Sequence, residues 1–307
     1  MKIYINKVKE NWVVDNFINE WKEYNLGITT KYPKNAEIIW IIAPWTWKQI
    51  SKRHLAKKKV ICTIHHIDFN KFDDAERSNF YDRDKYIDFY HVISKKTENQ
   101  LKRLTSKKIF TQPFWIDQRK FHYLPDKKSL RKKYKFNSES FLVGSFQRDT
   151  EGHDLISPKL SKGPDKFLEI VKDLQKTKNN LEVVLTGKRR NYLIKNFEEN
   201  FINYRYFEMV DFSSLNELYN ILDLYIVSSR IEGGPRSVFE CAQTETPIIS
   251  TDVGFASEIL AQESIFSFDD HLKASPNIDF AKNKVSNFLI PEGFQYYLKM
   301  FNEVYES

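Results

Sequence analysis

Between Arg230 and Gly254 the chain runs RIEGGPRSVFECAQTETPIISTDVG, and few folds accommodate that order of residues. Gly233, Gly234 and Pro235 interrupt the chain before a helical segment. An apolar run, Pro247 to Ser250, follows and is closed by Thr251-Asp252-Val253-Gly254. The order is loop, helix, strand, loop. Glycines without a Cβ let the backbone come close to a ligand, and Pro235 suits the first turn of a helix. The free N–H groups of that turn, those of Arg236 and Ser237 among them, form with the helix dipole a ready anion site. Two acids frame it: Glu232 in the loop, and Glu240 eight positions on, more than one turn inside the helix. One acid can hold hydroxyls on one side of a bound diphosphate and the other hydroxyls on the far side. A nucleotide sugar has that layout. The competing reading is an ordinary helix N-terminus with two solvated acids.

The rest of the chain supplies sheets for such a loop to leave. Residues 38–43, 60–64 and 89–93 are continuous apolar runs, as strands buried on both faces of a parallel sheet require. Residues 3–5 precede them, with a helical pattern at Val13, Phe17 and Trp21, and residues 109–110 follow. Ser94 is placed to cap a helix over 95–104. A second series holds a helix fragment at 130–134, a strand at 141–143 and a helix over 165–174. Strands at 181–185 and 224–228 follow, with a helix at 215–221 between them whose start, Ser213 to Glu217, spells a capping box. Alternating strands and helices predict doubly wound α/β domains, and 307 residues suffice for two.

Composition narrows the function classes. Cys62 and Cys241 lie far apart and suggest no disulfide framework, so a reducing compartment is expected. No secretory apolar stretch follows the first charge, and the longest apolar run, 38–47, contains a proline and is about half of a membrane span. The expectation is a soluble, cytoplasmic protein. A net charge of +7 comes from scattered runs (57–59, 107–108, 131–133 and 188–190) interleaved with acids. Such runs suit anionic membranes or anionic substrates as well as nucleic acid, and more often are solvated faces; no nucleic-acid partner is expected. Seven of the nine glycines fall between Gly144 and Gly254, so a phosphate-cradling loop belongs to the second half.

With EGGP before its helix and TPIISTDVG after it, the segment from Glu232 to Glu240 resembles the E-x7-E signature of the retaining glycosyltransferases of family 4, which have the GT-B fold. Residues 60–65 resemble the strand whose end carries that family's active-site histidine. His65 is therefore expected to face the donor sugar, with His66 as the alternative; Asp68 either joins the site or caps a turn. Residues 89–94 are similar to a family strand and cap, and 114–121 to its G-V-D-x-x-x-F segment, with Trp115 in place of the usual glycine. Gly144-Ser145-Phe146-Gln147-Arg148 and Ser161-Lys162-Gly163-Pro164 resemble the family's strand-G-R…K-G element, whose arginine and lysine hold the donor diphosphate. Lys162 takes the lysine's place. Ser145 stands where arginine is usual, and Arg148 either replaces it or is an exposed loop residue. Backbone groups near Met209 and Val210 are expected at the nucleobase. Residues 6–12 lack the glycines the family places after its first strand.

The resemblance implies two Rossmann-like domains facing across a cleft: residues 1–122, completed by a crossing helix at about 281–307, and residues 123–280 for the donor. It implies sugar transfer with retention from a UDP-, GDP- or ADP-sugar to a hydroxyl of a glycan, glycolipid or other acceptor, in surface polysaccharide or glycoconjugate synthesis. Catalytic roles fall to Glu232, Lys162, His65 and Arg148. Donor contacts fall to Glu240, Gly144, Ser145, Gly233, Gly234, Pro235, Arg236, Ser237, Met209 and Val210. No metal or other cofactor is called for, since no strand-end D-x-D is present. Peripheral contact with the inner face of a membrane fits a lipid-linked acceptor. A binding protein of the same fold without turnover, or a basic protein of nucleic-acid or membrane surfaces, remains as the alternative.

Overall fold

The structure, a computed structural model, describes residues 1–8 and 13–307. Part of the glycine-free stretch, residues 9–12, lies outside the described residues. The chain divides into two compact units, Met1–Trp115 with Phe288–Ser307, and Ile116–Asn287.

The first unit runs β1 (Ile3–Ile5), α1 (Val13–Tyr24), β2 (Thr29–Thr30), β3 (Ile38–Ile41), α2 (Lys52–Leu55), β4 (Lys59–Ile64), α3 (Asp74–Asp84), β5 (Phe89–Val92), α4 (Lys95–Leu101) and β6 (Ile109–Thr111). Its six parallel strands lie in the order β2-β1-β3-β4-β5-β6. Both faces are buried, which is why the strands read as unbroken apolar runs. Ile38 and Trp40 enter one core cluster, while their neighbours Ile39 and Ile41 enter the other. Ser94 caps α4 as expected, accepting from Thr97 N at 3.2 Å. That helix stops at Leu101, where Leu104 N folds back on Leu101 O at 2.8 Å in a tighter turn. The C-terminal helix Gln295–Glu306 brings Tyr297, Met300, Phe301 and Val304 into the same core as Trp21, Trp40 and Trp115. Trp115, standing where a glycine was expected, fills that core: its Nε1 donates to the buried Glu20 carboxylate at 2.8 Å, and Phe294 packs 4.6 Å away. Gly293 makes room for it, since a Cβ there would stand 3.0 Å from Trp115 Cβ and 2.6 Å from Phe288 O.

The second unit runs α5 (Lys127–Lys133), β7 (Phe141–Ser145), α6 (Pro164–Gln175), β8 (Leu181–Thr186), α7 (Asn191–Glu199), β9 (Tyr204–Phe207), α8 (Phe212–Ile221), β10 (Leu224–Val227), α9 (Arg236–Thr244), β11 (Ile248–Thr251), α10 (Ala256–Ile259), β12 (Ile265–Phe266) and α11 (Ile278–Val285). Its strands are again parallel, ordered β12-β11-β10-β7-β8-β9. The unit borders differ from the expected 122/123 and 280/281. His122 N and Leu124 N donate to Asn216 and Asn220 of α8 at 2.9 and 2.7 Å, which ties residues 116–122 to this unit. Lys282 pairs with Glu245 at 2.5 Å, and α11 lies against α9. The start of α8 is also corrected: Asp211, not Ser213, is the cap, accepting from Ser214 N at 2.8 Å. Aspartate's carboxylate satisfies that orphan N–H, and the serines fall inside the first turn.

Candidate functional site

In the second unit β8 and β9 lie to one side of β7, and β10, β11 and β12 to the other. The order therefore reverses between β7 and β10, and open α/β sheets take ligands outside the carboxyl ends of the strands at such a point. Phe146 to Arg148, after β7, and Ser228 to Glu232, after β10, leave the sheet there.

Lys162 reaches this point because the turn before α6 is stitched to the exit of β10. Arg230 N and Ile231 N donate to Ser161 O at 2.9 and 3.1 Å, and Arg230 forks onto Asp165 at 2.7 and 2.6 Å. Gly163 has φ 63° and accepts from Ser228 Oγ at 2.8 Å; a Cβ there would collide with Ser228 O. Only glycine fits. The result is a direct pair: Lys162 Nζ donates to Glu232 Oε1. Ser229 Oγ lies 3.2 Å from both Glu232 Oε1 and Gln147 Oε1, its one proton serving either, and Gln147 Nε2 donates to Lys162 O at 3.0 Å. Both side chains of the pair are partly buried, which strengthens their attraction.

α9 begins beside this pair. Pro235 is its N-cap rather than its first helical residue, and no side chain caps the turn. The Arg236 guanidinium lies 5.6 Å over the Phe239 ring, and Ser237 is buried. Two of the loop glycines also answer a packing need. A Cβ on Gly234 would collide with Phe255, and one on Gly254 (φ 51°) with the backbone of Gly233. What approaches Gly233 and Gly234 so closely is the loop after β11. Gly144 likewise serves packing, since a Cβ there would collide with Leu222.

Glu240 lies one turn into α9 and accepts from Tyr219 OH at 2.6 Å. Burial pushes its carboxyl pKa up, against the pull of Arg236 and Tyr219. Tyr219 stands in an aromatic group with Phe146 (4.8 Å) and Tyr225 (5.4 Å), and Tyr225 OH accepts from Phe146 N at 2.9 Å. Sequence reading missed these three. The available signal was that Phe146 follows the glycine strand and that Tyr219 sits on the buried face of α8.

Other expected residues fall elsewhere. Ser145 is buried within β7, and Arg148 is exposed outside the Lys162–Glu232 network. Met209 and Val210 follow the edge strand β9, two strands from β7, with Met209 exposed. The basic run 188–190 is not uniformly solvated: Arg190 is fully buried, its Nε 3.2 Å from the buried Asp149.

In the first unit His65 and His66 follow β4. His66 is exposed, whereas His65 turns inward, with Nε2 2.9 Å from Ile42 O. A carbonyl only accepts, so Nε2 carries the proton and Nδ1 presents a lone pair. Burial holds its pKa down to about 4, so the ring is neutral at pH 7. Asp68 caps a turn, accepting from Asn70 N at 3.1 Å. Strand order reverses here between β1 and β3, where the buried Asn6 accepts from Ile42 N at 3.0 Å and donates to Thr46 Oγ1.

Among the described residues no cluster of three or more His, Cys, Asp or Glu could hold a metal ion, and no helix is long and apolar enough to cross a membrane. Residues 156–293 match the family model described as Glycosyl transferases group 1. No curated protein matches the sequence. Among solved structures, HepE of Anabaena in complex with UDP and glucose is similar, with a TM-score of 0.75 and 12% identity over 99% of this chain and 100% of that one. Sucrose-phosphate synthase from Thermosynechococcus elongatus gives 0.69 and 14% over 97% and 81%. The lipopolysaccharide outer core galactosyltransferase WaaB gives 0.68 and 12% over 99% and 100%. The fold is that of these proteins, GT-B with two Rossmann-like domains, and the family match with the fold supports a glycosyltransferase.

Proposed function

We propose that this protein is a retaining, metal-independent glycosyltransferase of the family 4 type, moving a sugar from a nucleoside-diphosphate sugar to an acceptor hydroxyl. The observation that carries the reading is the meeting of Lys162 and Glu232 at the switch point of the second unit. Lys162 neutralises charge as it grows on the departing diphosphate, helped by the uncapped amides of α9. Glu232 then turns from the ammonium to the donor sugar's hydroxyls. Glu240, held by Tyr219, takes the ribose hydroxyls. The anomeric carbon–oxygen bond to the diphosphate breaks, and the bond to the acceptor oxygen forms on the same face. The acceptor's proton leaves with the diphosphate. His65, neutral and accepting through Nδ1, suits a sugar hydroxyl. HepE was solved with UDP-glucose, which puts UDP-sugars first among donors to test. Peripheral attachment to a membrane and a role in surface polysaccharide synthesis belong to the same proposal.

The test follows UDP-, GDP- and ADP-sugars by ligand-observed NMR over hours, with Glu232→Gln beside wild type. Binding of one donor with slow hydrolysis, slower in the variant, supports the transferase and names its donor. Binding without turnover in the presence of acceptors points to a binding protein. Failure of every nucleotide sugar to bind overturns the proposal.

A further inference from the structure

Between β7 and α6 the chain makes a strap, residues 149–161, whose base rests on the start of α7. Arg189 O accepts from Asp149 N at 3.0 Å and from Thr150 N and Oγ1 at 3.2 Å. Arg189 itself is held at φ 63°, in the left-handed region that a residue with a Cβ seldom adopts. Its guanidinium lies against Gly152, where a Cβ would stand 2.7 Å from Nη1. Beneath this turn Asp149 and Arg190 are both buried, with Asp149 Oδ2 3.2 Å from Arg190 Nε. The contact is ionic without the alignment of a hydrogen bond, and none of the three guanidinium nitrogens has a hydrogen-bond partner among the described residues. Such a pair is a poor source of stability, since well-packed apolar side chains cost less to bury. Its directed contact is a different one: Asp149 Oδ1 accepts from Tyr192 N, in the first turn of α7, at 3.2 Å.

We infer that Asp149 and Arg190 are positioning residues for Lys162, holding the strap in the one register that presents its ammonium to Glu232 and to the donor diphosphate. The path between them is short. Lys159 N donates to Asp149 O at 2.8 Å, Lys162 N donates to Lys159 O at 2.8 Å, and Lys162 Nζ donates to Glu232. Two backbone hydrogen bonds thus join the residue clamped on α7 to the residue assigned to the diphosphate, although the whole strap separates them in sequence. Apolar packing is non-directional, whereas a carboxylate that accepts from a fixed amide and faces a fixed cation selects one arrangement. Misplacing a catalytic group by about 1 Å can cost about 10²-fold in rate. The role assigned to the pair rests on the proposed transferase activity.

The test compares full-length wild type, the double variant Asp149→Leu/Arg190→Met and Asp149→Glu. It reads urea unfolding, hydrogen exchange of peptides covering residues 147–163, and steady-state kinetics with whichever nucleotide sugar the NMR screen identifies. The double variant should unfold close to the wild-type midpoint, because no charge is left stranded. Its strap should nevertheless exchange roughly tenfold faster, and its kcat should fall roughly tenfold or more with donor KM within about twofold of wild type. Asp149→Glu keeps both charges and lengthens one arm by a methylene. It should move both readouts in the same direction by a smaller factor, and it decides the matter if the double variant does not fold. Wild-type exchange and wild-type kcat in the folded double variant, or in Asp149→Glu, would mean that the pair only stabilises, and the inference is overturned. A loosened strap with unchanged kcat overturns it equally. If wild type turns over no nucleotide sugar, the transferase reading falls, and the exchange comparison alone decides whether the pair anchors the strap.

Discussion

Lys162 and Glu232 satisfy one another, so in the proposed reaction a diphosphate draws the ammonium away from its carboxylate. Lys162→Ala should lower kcat by roughly 10²–10³-fold, and Lys162→Arg should recover only part, because a planar guanidinium cannot replace a compact point charge in that turn. Steady-state rates with whichever donor the NMR screen identifies measure both. Lys162 was legible because glycine and proline follow it directly, a combination that fixes a turn before a helix. Arg190 was not, since nothing in three consecutive basic residues tells which one turns inward. The histidines carry a second expectation. His65 and the fully buried His91 have pKa values lowered to about 4 and about 3 by burial, against about 6.5 unfolded. His91 is satisfied while neutral: Nε2 donates to Gln112 O at 2.8 Å, and Nδ1 lies 3.0 Å from Thr63 Oγ1. Folded pKa values below the unfolded one mean that the unfolded chain binds the protons. The stabilisation is therefore complete above pH 6.5 and is lost as pH falls towards 4 and 3, roughly 3 kcal/mol for each ring by pH 4. Urea unfolding midpoints measured from pH 7 to pH 4 should fall accordingly, and His91→Gln should flatten the slope by one proton.

At the scale of elements, the site depends on turns whose geometry only particular residues permit. Gly163 combines φ 63° with a position against Ser228 O. Gly163→Ala should destabilise the second unit by roughly 2–4 kcal/mol and, in the folded fraction, displace Lys162 enough to lower kcat, readable by calorimetry and kinetics together. Sequence patterns located these elements because fully buried parallel strands leave unbroken apolar runs and their helices keep a regular apolar stripe. They failed where short-range chemistry is degenerate. Asp211 and Ser213 both stand where a helix can be capped, and only packing decides which carries the duty. The packing of Gly234 against Phe255 and of Gly254 against the Gly233 backbone was hidden for a related reason: a glycine announces a close approach without saying by what. The strap between β7 and α6 adds a further expectation. Asp149 N donates to Arg189 O at 3.0 Å, and Lys159 N donates to Asp149 O at 2.8 Å, above the buried Arg190. Removing one partner of a buried pair strands the other charge at a cost of about 3–5 kcal/mol, whereas apolar replacement of both costs far less. Arg190→Met should therefore unfold at markedly lower urea than the double variant Asp149→Leu/Arg190→Met.

The path of the whole chain explains why it carries no linker of flexible composition. It passes from the first unit to the second at Trp115–Ile116 and returns at Asn287–Phe288, so the first unit is completed only by the last twenty residues. The aromatic spacing of Phe294, Tyr297 and Phe301 showed that the tail packs somewhere; the place is set by Trp21 and Trp115, remote in sequence. Phe294 stands 5.6 Å from Trp21, Phe301 5.4 Å from it, and Tyr297 5.0 Å from Trp115. Tyr297 OH also donates to Pro113 O at 3.2 Å. Buried aromatic residues are worth about 3–5 kcal/mol each when removed to alanine, against a total stability of about 5–15 kcal/mol for a domain. Deleting residues 295–307 removes two such anchor side chains, Tyr297 and Phe301, together with the buried Met300 and Val304, and should leave the first unit unfolded while the second, whose core contains none of them, keeps its structure. Hydrogen exchange read by mass spectrometry on the truncated chain separates the two: peptides from residues 1–115 should exchange at once, and those from 141–251 should stay protected. Protection of both would mean that α1 and β3 hold the first core without the returning helix.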